Sequence, residues 1–311
     1  MTITTDLSAS VSSISSQVSL QKLTTFRVGG LAEWLAMPRH RQDFDQALAW
    51  AKAQSVSVTV LGAGSNLLIS DRGVSGLVIC TRHWRQSQFD STTGRVRASA
   101  GEPLPTLAWK AAKRGWRGLE WAVGIPGTIG GAVVMNAGAH GGCVADSLIA
   151  TTILNQQQQQ VELSLADLAF QYRSSCLQGS NQVVLDATFQ LQPGHDPAIV
   201  MADTLAGLNQ RRATQPYDRP NCGSVFRNPL PYTAGWLIEQ TGLKGYRLGQ
   251  AQVADRHANF IINLGGAKAA DIYRLIHHVQ DRVEAQWSLR LQPEVKFIGE
   301  FSDRSRGLEE S

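Results

Sequence analysis

Cysteine is scarce and scattered, with 4 in 311 residues (Cys80, Cys143, Cys176 and Cys222) and no CxxC pair. That spacing offers no paired-thiolate zinc site and no disulfide framework. No apolar run approaches the roughly 20 residues needed to cross a bilayer. Residues 1–19 open on MTITTDLSASVSSISSQV, which has neither a basic nor an apolar signal segment, and read as a disordered tail. A cytoplasmic location with reduced thiols is therefore expected. Charge is not clustered either: the net charge is +4 and the arginines are dispersed, which gives no nucleic-acid footprint. A slight basic surplus suits an anionic small substrate. Of 7 histidines only His277-His278 are adjacent, on a helical stretch where they project to different faces, so no metal is expected.

Familiar catalytic signatures are also missing. Gly62-Ala63-Gly64 begins a dinucleotide fingerprint, but Leu67 stands where its third glycine belongs and no helical pattern follows. There is no GKS or GKT phosphate loop and no GxSxG elbow.

Glycine is what the chain has, and it is densest from Gly124 to Gly142, GIPGTIGGAVVMNAGAHGG. Such a run has too little side-chain volume for a core, but its amides can approach a ligand closely. Ile125, Ile129, Val133, Val134 and Met135 argue against a floppy linker, so the stretch reads as a buried wall facing a ligand. His140 within it reads as a loop histidine. A second glycine turn, Gly62 to Asn66, follows a β-rich run at Val56 to Leu61. Two such turns in one β-rich region suggest a cofactor pyrophosphate held by backbone amides, outside the Rossmann scheme.

Around these turns the pattern alternates strand and helix. Leu23 to Pro38 reads as a strand pair about Gly29-Gly30, and Asp43 as the cap of a helix to Gln54. Strands are expected at Gly76 to Cys80, Arg95 to Ala100, Leu148 to Leu154 and Val183 to Leu191, with a helix from Pro103 to Arg114. The run Gln156 to Gln160 reads as an exposed hairpin loop. Beyond Gln192-Pro193-Gly194, helices are expected at Ala198 to Ala213, Thr233 to Thr241 and Ala269 to Trp287. The last carries a stripe of Ile272, Leu275, Ile276, Val279 and Val283. Strands are expected at Gln250 to Ala254, Ala258 to Asn263 and Leu291 to Phe301.

Three spots set polar groups among apolar neighbours: Phe170-Gln171-Tyr172-Arg173, Cys222 to Pro229 (CGSVFRNP), and Gln292 to Phe297 (QPEVKF). Each alone has a structural explanation as a capping arginine, a turn serine or an edge glutamate. Converging, they would supply an anion clamp, a proton donor and a charge partner.

The segments TTFRVGG, VLGAGSNLLISDRG, GIPGTIGGAVVMNAGAHGG, FQYRSS, CGSVFRNP, AGWLIEQTGLKG, HANFIIN and PEVKFIG occur in this order over about Leu20 to Phe301. Together they resemble the UDP-N-acetylenolpyruvoylglucosamine reductase (UDP-N-acetylmuramate dehydrogenase) family, in its shorter subtype. The resemblance implies an α+β protein: a two-part FAD-binding domain of the vanillyl-alcohol-oxidase (PCMH) type and a C-terminal α+β substrate-binding domain. It assigns 20–84 and 85–192 to the two FAD subdomains and 193–290 to the substrate domain. Residues 291–303 would form a strand returning to the active site, and 304–311 a tail. It implies non-covalent FAD, held by Gly62, Ala63, Gly64, Ser65 and Asn66 and by Gly124, Ile125, Pro126, Gly127, Thr128, Gly130 and Gly131. Asn136, Ala137 and Gly138 would line the same channel. Arg173, Ser224 and Glu294 match the family's catalytic arginine, proton donor and glutamate, and Tyr172, Arg227, Asn228, Gln252 and Asn259 fall in substrate-side motifs. The implied reaction is NADPH-dependent reduction of UDP-N-acetylglucosamine enolpyruvate to UDP-N-acetylmuramate, by a monomer with no nucleic-acid or membrane partner. A flavin-dependent alcohol oxidase and a non-catalytic flavin-binding module are the alternatives.

Overall fold

A computed structural model of the chain describes residues 14–139 and 141–301; the expectations for His140, most of the N-terminal tail and the C-terminal tail lie outside them. The first body comprises β1 (Ser15–Ser19), β2 (Leu31–Ala36), α1 (Arg41–Ala53), β3 (Val58–Leu61), β4 (Leu67–Ile69) and β5 (Val74–Cys80). Its four-stranded sheet runs β1-β2-β5-β3, with β5 parallel to both neighbours and β1 antiparallel at the edge. Strand β5 is central because both its faces are apolar, as in a sheet covered on two sides. Leu77 and Ile79 pack with Phe44, Ala47 and Ala51 of α1, while Val78 and Cys80 pack with Leu20, Leu35 and Leu61.

The second body holds β6 (Ser87–Asp90), β7 (Arg95–Ser99), α2 (Leu104–Ala112), α3 (Ile129–Met135), β8 (Gly138–Ala139), β9 (Gly142–Cys143), β10 (Leu148–Leu154), β11 (Gln160–Ser164), β12 (Val183–Gln190) and α4 (Pro197–Thr214). Five of its strands form an antiparallel sheet in the order β11-β10-β12-β7-β6. Ile129 and Val133 of α3 and Leu104, Leu107 and Ala111 of α2 bury their apolar faces in one core with Val96, Ala187 and Phe189 of that sheet.

The third body contains α5 (Ala234–Gln240), β13 (Arg247–Leu248), β14 (Ala251–Val253), β15 (Ile261–Asn263), α6 (Ala269–Trp287) and β16 (Lys296–Ile298). Ile272, Leu275, Ile276, Val279 and Val283 of α6 are all buried, as their spacing requires. Strand β16 leaves this body and pairs in parallel with β4, bringing the chain's end back to the first.

Several expectations change. Ser15–Ser19 is not tail but strand β1, paired antiparallel with β2 from Ser15↔Leu35 to Ser19↔Leu31. The strand pair expected within Leu23 to Pro38 does not form: only β2 lies there, its antiparallel partner β1 precedes that stretch, and Gly29-Gly30 is a connection whose Gly30 amide donates to the Ser70 carbonyl (2.8 Å). Helix α1 is capped by His40, whose Nδ1 accepts from the Asp43 amide, so Asp43 lies in its first turn. The glycine-rich wall contains helix α3. Helix α4, expected in the substrate domain, packs on α2. The last strand is only Lys296–Ile298, and Glu294 precedes it.

The first and third bodies are joined at the start of α6. Both carboxylate oxygens of Asp71 accept helix amides, from Ala269 and Ala270, each at 2.9 Å. These are orphan donors of a helix N-terminus, and a carboxylate there both satisfies them and complements the dipole. Asp71→Ala is expected to lower unfolding free energy by about 1–2 kcal/mol. Denaturant titration of both proteins checks this, and an unchanged midpoint would assign the contact no stabilising role.

Candidate active site

A cleft of about 1180 Å³ lies between the bodies, and both glycine turns line it. Gly62, Ala63, Gly64, Ser65 and Asn66 form one wall; Ile125, Pro126, Gly127, Thr128, Gly130 and Gly131 form another, continued by Ala137 and Gly138. The two turns touch. Ser65 Oγ donates to the Pro126 carbonyl at 2.7 Å, and a Cβ built on Gly62 would lie 2.3 Å from Thr128 Oγ1. Gly64 has φ +65°, and a Cβ there would sit 2.1 Å from the Leu23 carbonyl oxygen, so glycine is required twice over.

The amides of residues 62–66, and those of Gly127 and Thr128, donate to no partner among the described residues. Converging backbone N–H groups free of the fold fit an anionic phosphate bridge. Arg82 steadies the first turn, its Nη2 donating to the Ala63 carbonyl at 3.2 Å.

Gly124 and Asn136 are not among the lining residues. The Gly124 carbonyl accepts the Tyr217 hydroxyl at 2.6 Å. Asn136 ends α3 in the left-handed region at φ 42°. Its Nδ2 donates to the Gln171 carbonyl at 3.0 Å and its Oδ1 accepts the Ala145 amide at 3.1 Å. It thereby supports the tight turn that carries Tyr172 and Arg173.

In that turn the amides of Gln171 and Ser174 each donate to the other's carbonyl at 3.1 Å. Arg173 itself sits at φ 55°, a conformation that costs a non-glycine residue about 1–2 kcal/mol. Its carbonyl is held by Gln178 Nε2 (2.8 Å) and Arg227 Nη2 (3.0 Å). The guanidinium donates through Nη2 to the Gly138 carbonyl (2.6 Å) and pairs through Nε with Glu294 Oε1 at 3.2 Å. Ser224, on the Gly223–Ser224 turn, lines the same cleft, so the three spots of distant sequence meet there.

Glu294 reaches the cleft because its own backbone is clamped. Its amide donates to the Val225 carbonyl at 2.7 Å, and its carbonyl accepts from Asn66 Nδ2 at 3.1 Å. Burial pushes its carboxyl above the ordinary range, while Arg173, then Arg227 and Lys296, pull it back. Burial also pushes the neighbouring Cys222 thiol far up, which leaves it protonated and a poor nucleophile.

Of the substrate-side residues, Tyr172 is exposed under the Arg173 guanidinium, 5.2 Å from ring centre to Cζ. Arg227 supports the Arg173 carbonyl rather than lining the cleft. The other three support the fold. Asn228 Oδ1 accepts the Ala234 amide at the start of α5 (3.0 Å). Gln252 Nε2 donates to the Gly245 carbonyl and to Asp255. Asn259 bonds both the amide and the carbonyl of Phe226. Lys296 and Arg211 line the cleft and have no place among the sequence candidates. The available signal for Lys296 was its position two residues after Glu294 in extended chain, which puts both on one face.

The described helices include none long and apolar enough to cross a membrane. Residues 215–298 match the family model for the UDP-N-acetylenolpyruvoylglucosamine reductase C-terminal domain, and residues 32–164 match an FAD binding domain. The chain is 60% identical to a UDP-N-acetylenolpyruvoylglucosamine reductase of Acaryochloris marina, across 91% of this chain and 92% of that one. It is 58% identical to the reductase of the same name from Nostoc sp., across 93% and 87%. Among solved structures, UDP-N-acetylenolpyruvylglucosamine reductase from Thermus caldophilus superposes with a TM-score of 0.77 at 33% identity, covering 92% of this chain and 99% of that one.

Proposed function

The chain belongs to the UDP-N-acetylenolpyruvoylglucosamine reductase family, and from that premise we propose how its cleft works. The protein is an FAD-containing oxidoreductase of peptidoglycan synthesis that reduces UDP-N-acetylglucosamine enolpyruvate to UDP-N-acetylmuramate at the expense of NADPH. The observation that carries the reading is the meeting of Arg173, Glu294 and Ser224 in a cleft whose other walls are two glycine turns with free amides.

The amides of Gly62 to Asn66, with those of Gly127 and Thr128, would hold the FAD pyrophosphate, and Ala137 and Gly138 would flank the ring system. Bound there, FAD supplies hydride transfer, from NADPH and then to the terminal methylene of the enolpyruvyl ether. Arg173 meets the negative charge that develops on the adjacent carbon and its carboxylate, from a partly buried position where such contacts are stronger than in bulk water. Glu294 holds the guanidinium in register, and Ser224 delivers a proton to the carbon through its hydroxyl. A hydroxyl is a weak acid, so its placement matters more than its pKa. Tyr172 and Lys296 stand at the same end to meet the anionic substrate. In this reading the protein works as a monomer in the cytoplasm.

Anaerobic addition of one equivalent of NADPH should bleach the flavin band, and the enolpyruvyl nucleotide should restore it with formation of the lactyl ether. Recolouring by oxygen alone, with no response to the nucleotide, would instead make the protein an oxidase.

The raised Glu294 carboxyl gives a pH signature. Its protonation is favoured in the fold, so its contribution to stability is full below the ordinary carboxylate range and is lost as pH rises through the raised value. Activity moves oppositely, because pairing with Arg173 needs the ionised form. The acid limb of kcat should lie above the ordinary carboxylate range, and Glu294→Gln should abolish the limb along with most of the rate. A limb retained in the variant would assign it to another group.

A further inference from the structure

Resting on the flavin reading above, we propose that Asn66 is a positioning residue for the second half of the reaction: its carboxamide, bonded to the backbone of Glu294, sets that carboxylate against the flavin turn. The backbone of Asn66 belongs to the turn that holds the pyrophosphate in that reading, but its side chain is directed elsewhere. Asn66 Nδ2 donates to the Glu294 carbonyl at 3.1 Å. The Asn66 carbonyl in turn accepts the Lys296 amide at 3.0 Å. The parallel pairing of β4 with β16 begins at the next residue, Leu67 with Lys296. Asn66 therefore grips the chain on both sides of Val295, once with its side chain and once with its backbone.

On its other edge the same chain is gripped by the segment that follows Ser224. The Val225 carbonyl accepts the Glu294 amide at 2.7 Å, and the Arg227 amide donates to the Gln292 carbonyl at 2.9 Å. Phe226 and Pro293 form an antiparallel bridge between them. Residues 292–296 are thus a middle rung between the proton donor's segment and the flavin turn, and the Glu294 side chain pairs with Arg173. The two edges are not equivalent. Several backbone contacts fix the Ser224 side, whereas at residue 294 itself the flavin side rests on one side-chain donor. That donor can be removed without breaking a strand. The Glu294 carbonyl then loses this partner, and its carboxylate is free to drift from the guanidinium that it orients. A misplacement of about 1 Å at a reacting group lowers the rate on the order of 10²-fold. Arg173 and Glu294 serve the charge that develops on the enolpyruvyl substrate, so the loss should fall on that step and not on flavin reduction.

The test compares the natural holoenzyme with Asn66→Ala and with Asn66→Leu, which keeps nearly the same side-chain shape but has no donor, by anaerobic rapid mixing. Bleaching of the flavin band by NADPH should stay within about twofold of the natural rate, and so should FAD affinity, because the turn amides are untouched. Recolouring by the enolpyruvyl nucleotide should slow by about 10- to 100-fold. The acid limb of kcat should move to higher pH, because Arg173 holds the Glu294 carboxyl down against the effect of burial. Melting temperatures report whether each variant keeps its fold, and if one does not, the other carries the same readings. Recolouring at the natural rate would overturn the proposal, and so would an acid limb left in place. Equal slowing of both half-reactions would overturn it too, by making the contact merely structural. FAD affinity falling in step with recolouring would make the Asn66 side chain a flavin ligand instead. Failure of the natural chain to bind FAD at all would overturn the flavin reading itself.

Discussion

Replacing Arg173 with alanine is expected to lower kcat by about 10²- to 10³-fold, the scale of losing one preorganised donor to a developing anion. The guanidinium makes two bonds at once, to the Gly138 carbonyl and to Glu294, and it lies in a turn held open at a left-handed backbone conformation. Arg173→Lys should recover little of the loss, because a point charge cannot satisfy both partners from one position. The backbone of the turn is held by Asn136, Gln178 and Arg227 rather than by the arginine side chain. The variants should therefore still fold and bind FAD, as flavin content and melting temperature would report. Loss of bound flavin in proportion to activity would make Arg173 a structural residue instead.

Ser224→Ala should split the catalytic cycle. Reduction by NADPH needs no proton from the protein to carbon, so flavin bleaching should proceed at the unmodified rate. Reoxidation by the enolpyruvyl nucleotide should slow by about 10²- to 10⁴-fold, the usual range for loss of a positioned acid. Rapid-mixing measurements of the two half-reactions separate these effects. Equal slowing of both would point to a distorted site, and slowing of neither would remove Ser224 from the chemistry.

How legible the molecule was depended on where the physics is local. The stripe of α6 lies on the side of a helix that a single 3.6-residue period marks, and the apolar run of β5 marks a strand covered on both faces. Helix α3 was hidden because glycine and valine are poor helix formers. It forms because Ile129, Ala132 and Val133 bury against β12 and the rest of that core. Gly130 lets the backbone approach Ala100, where an added Cβ would lie 3.0 Å from the neighbouring Cβ. Strand β1 was hidden in a Ser-rich stretch that only the partner β2 makes into an edge.

In the site, the glycine turns declared themselves by composition, whereas the meeting of Arg173, Ser224 and Glu294 depends on long-range contacts such as Asn66 to Glu294. Asn228, Gln252 and Asn259 show the opposite limit. Polar residues inside a recognisable motif look ready for a ligand, yet here their side chains bond the protein's own backbone. Lys296 went unnoticed because a lysine in an alternating stretch near the end of a chain resembles an ordinary solvated side chain, and its place on the cleft depends on the pairing of β16 with β4.

The most direct test is the electron density of the full chain crystallised with FAD. The pyrophosphate should lie against the amides of Gly62 to Asn66 and Gly127, with the isoalloxazine ring beside Arg173, Ser224 and Glu294. Flavin lodged elsewhere, or bound with its ring turned away from those three side chains, would contradict the account.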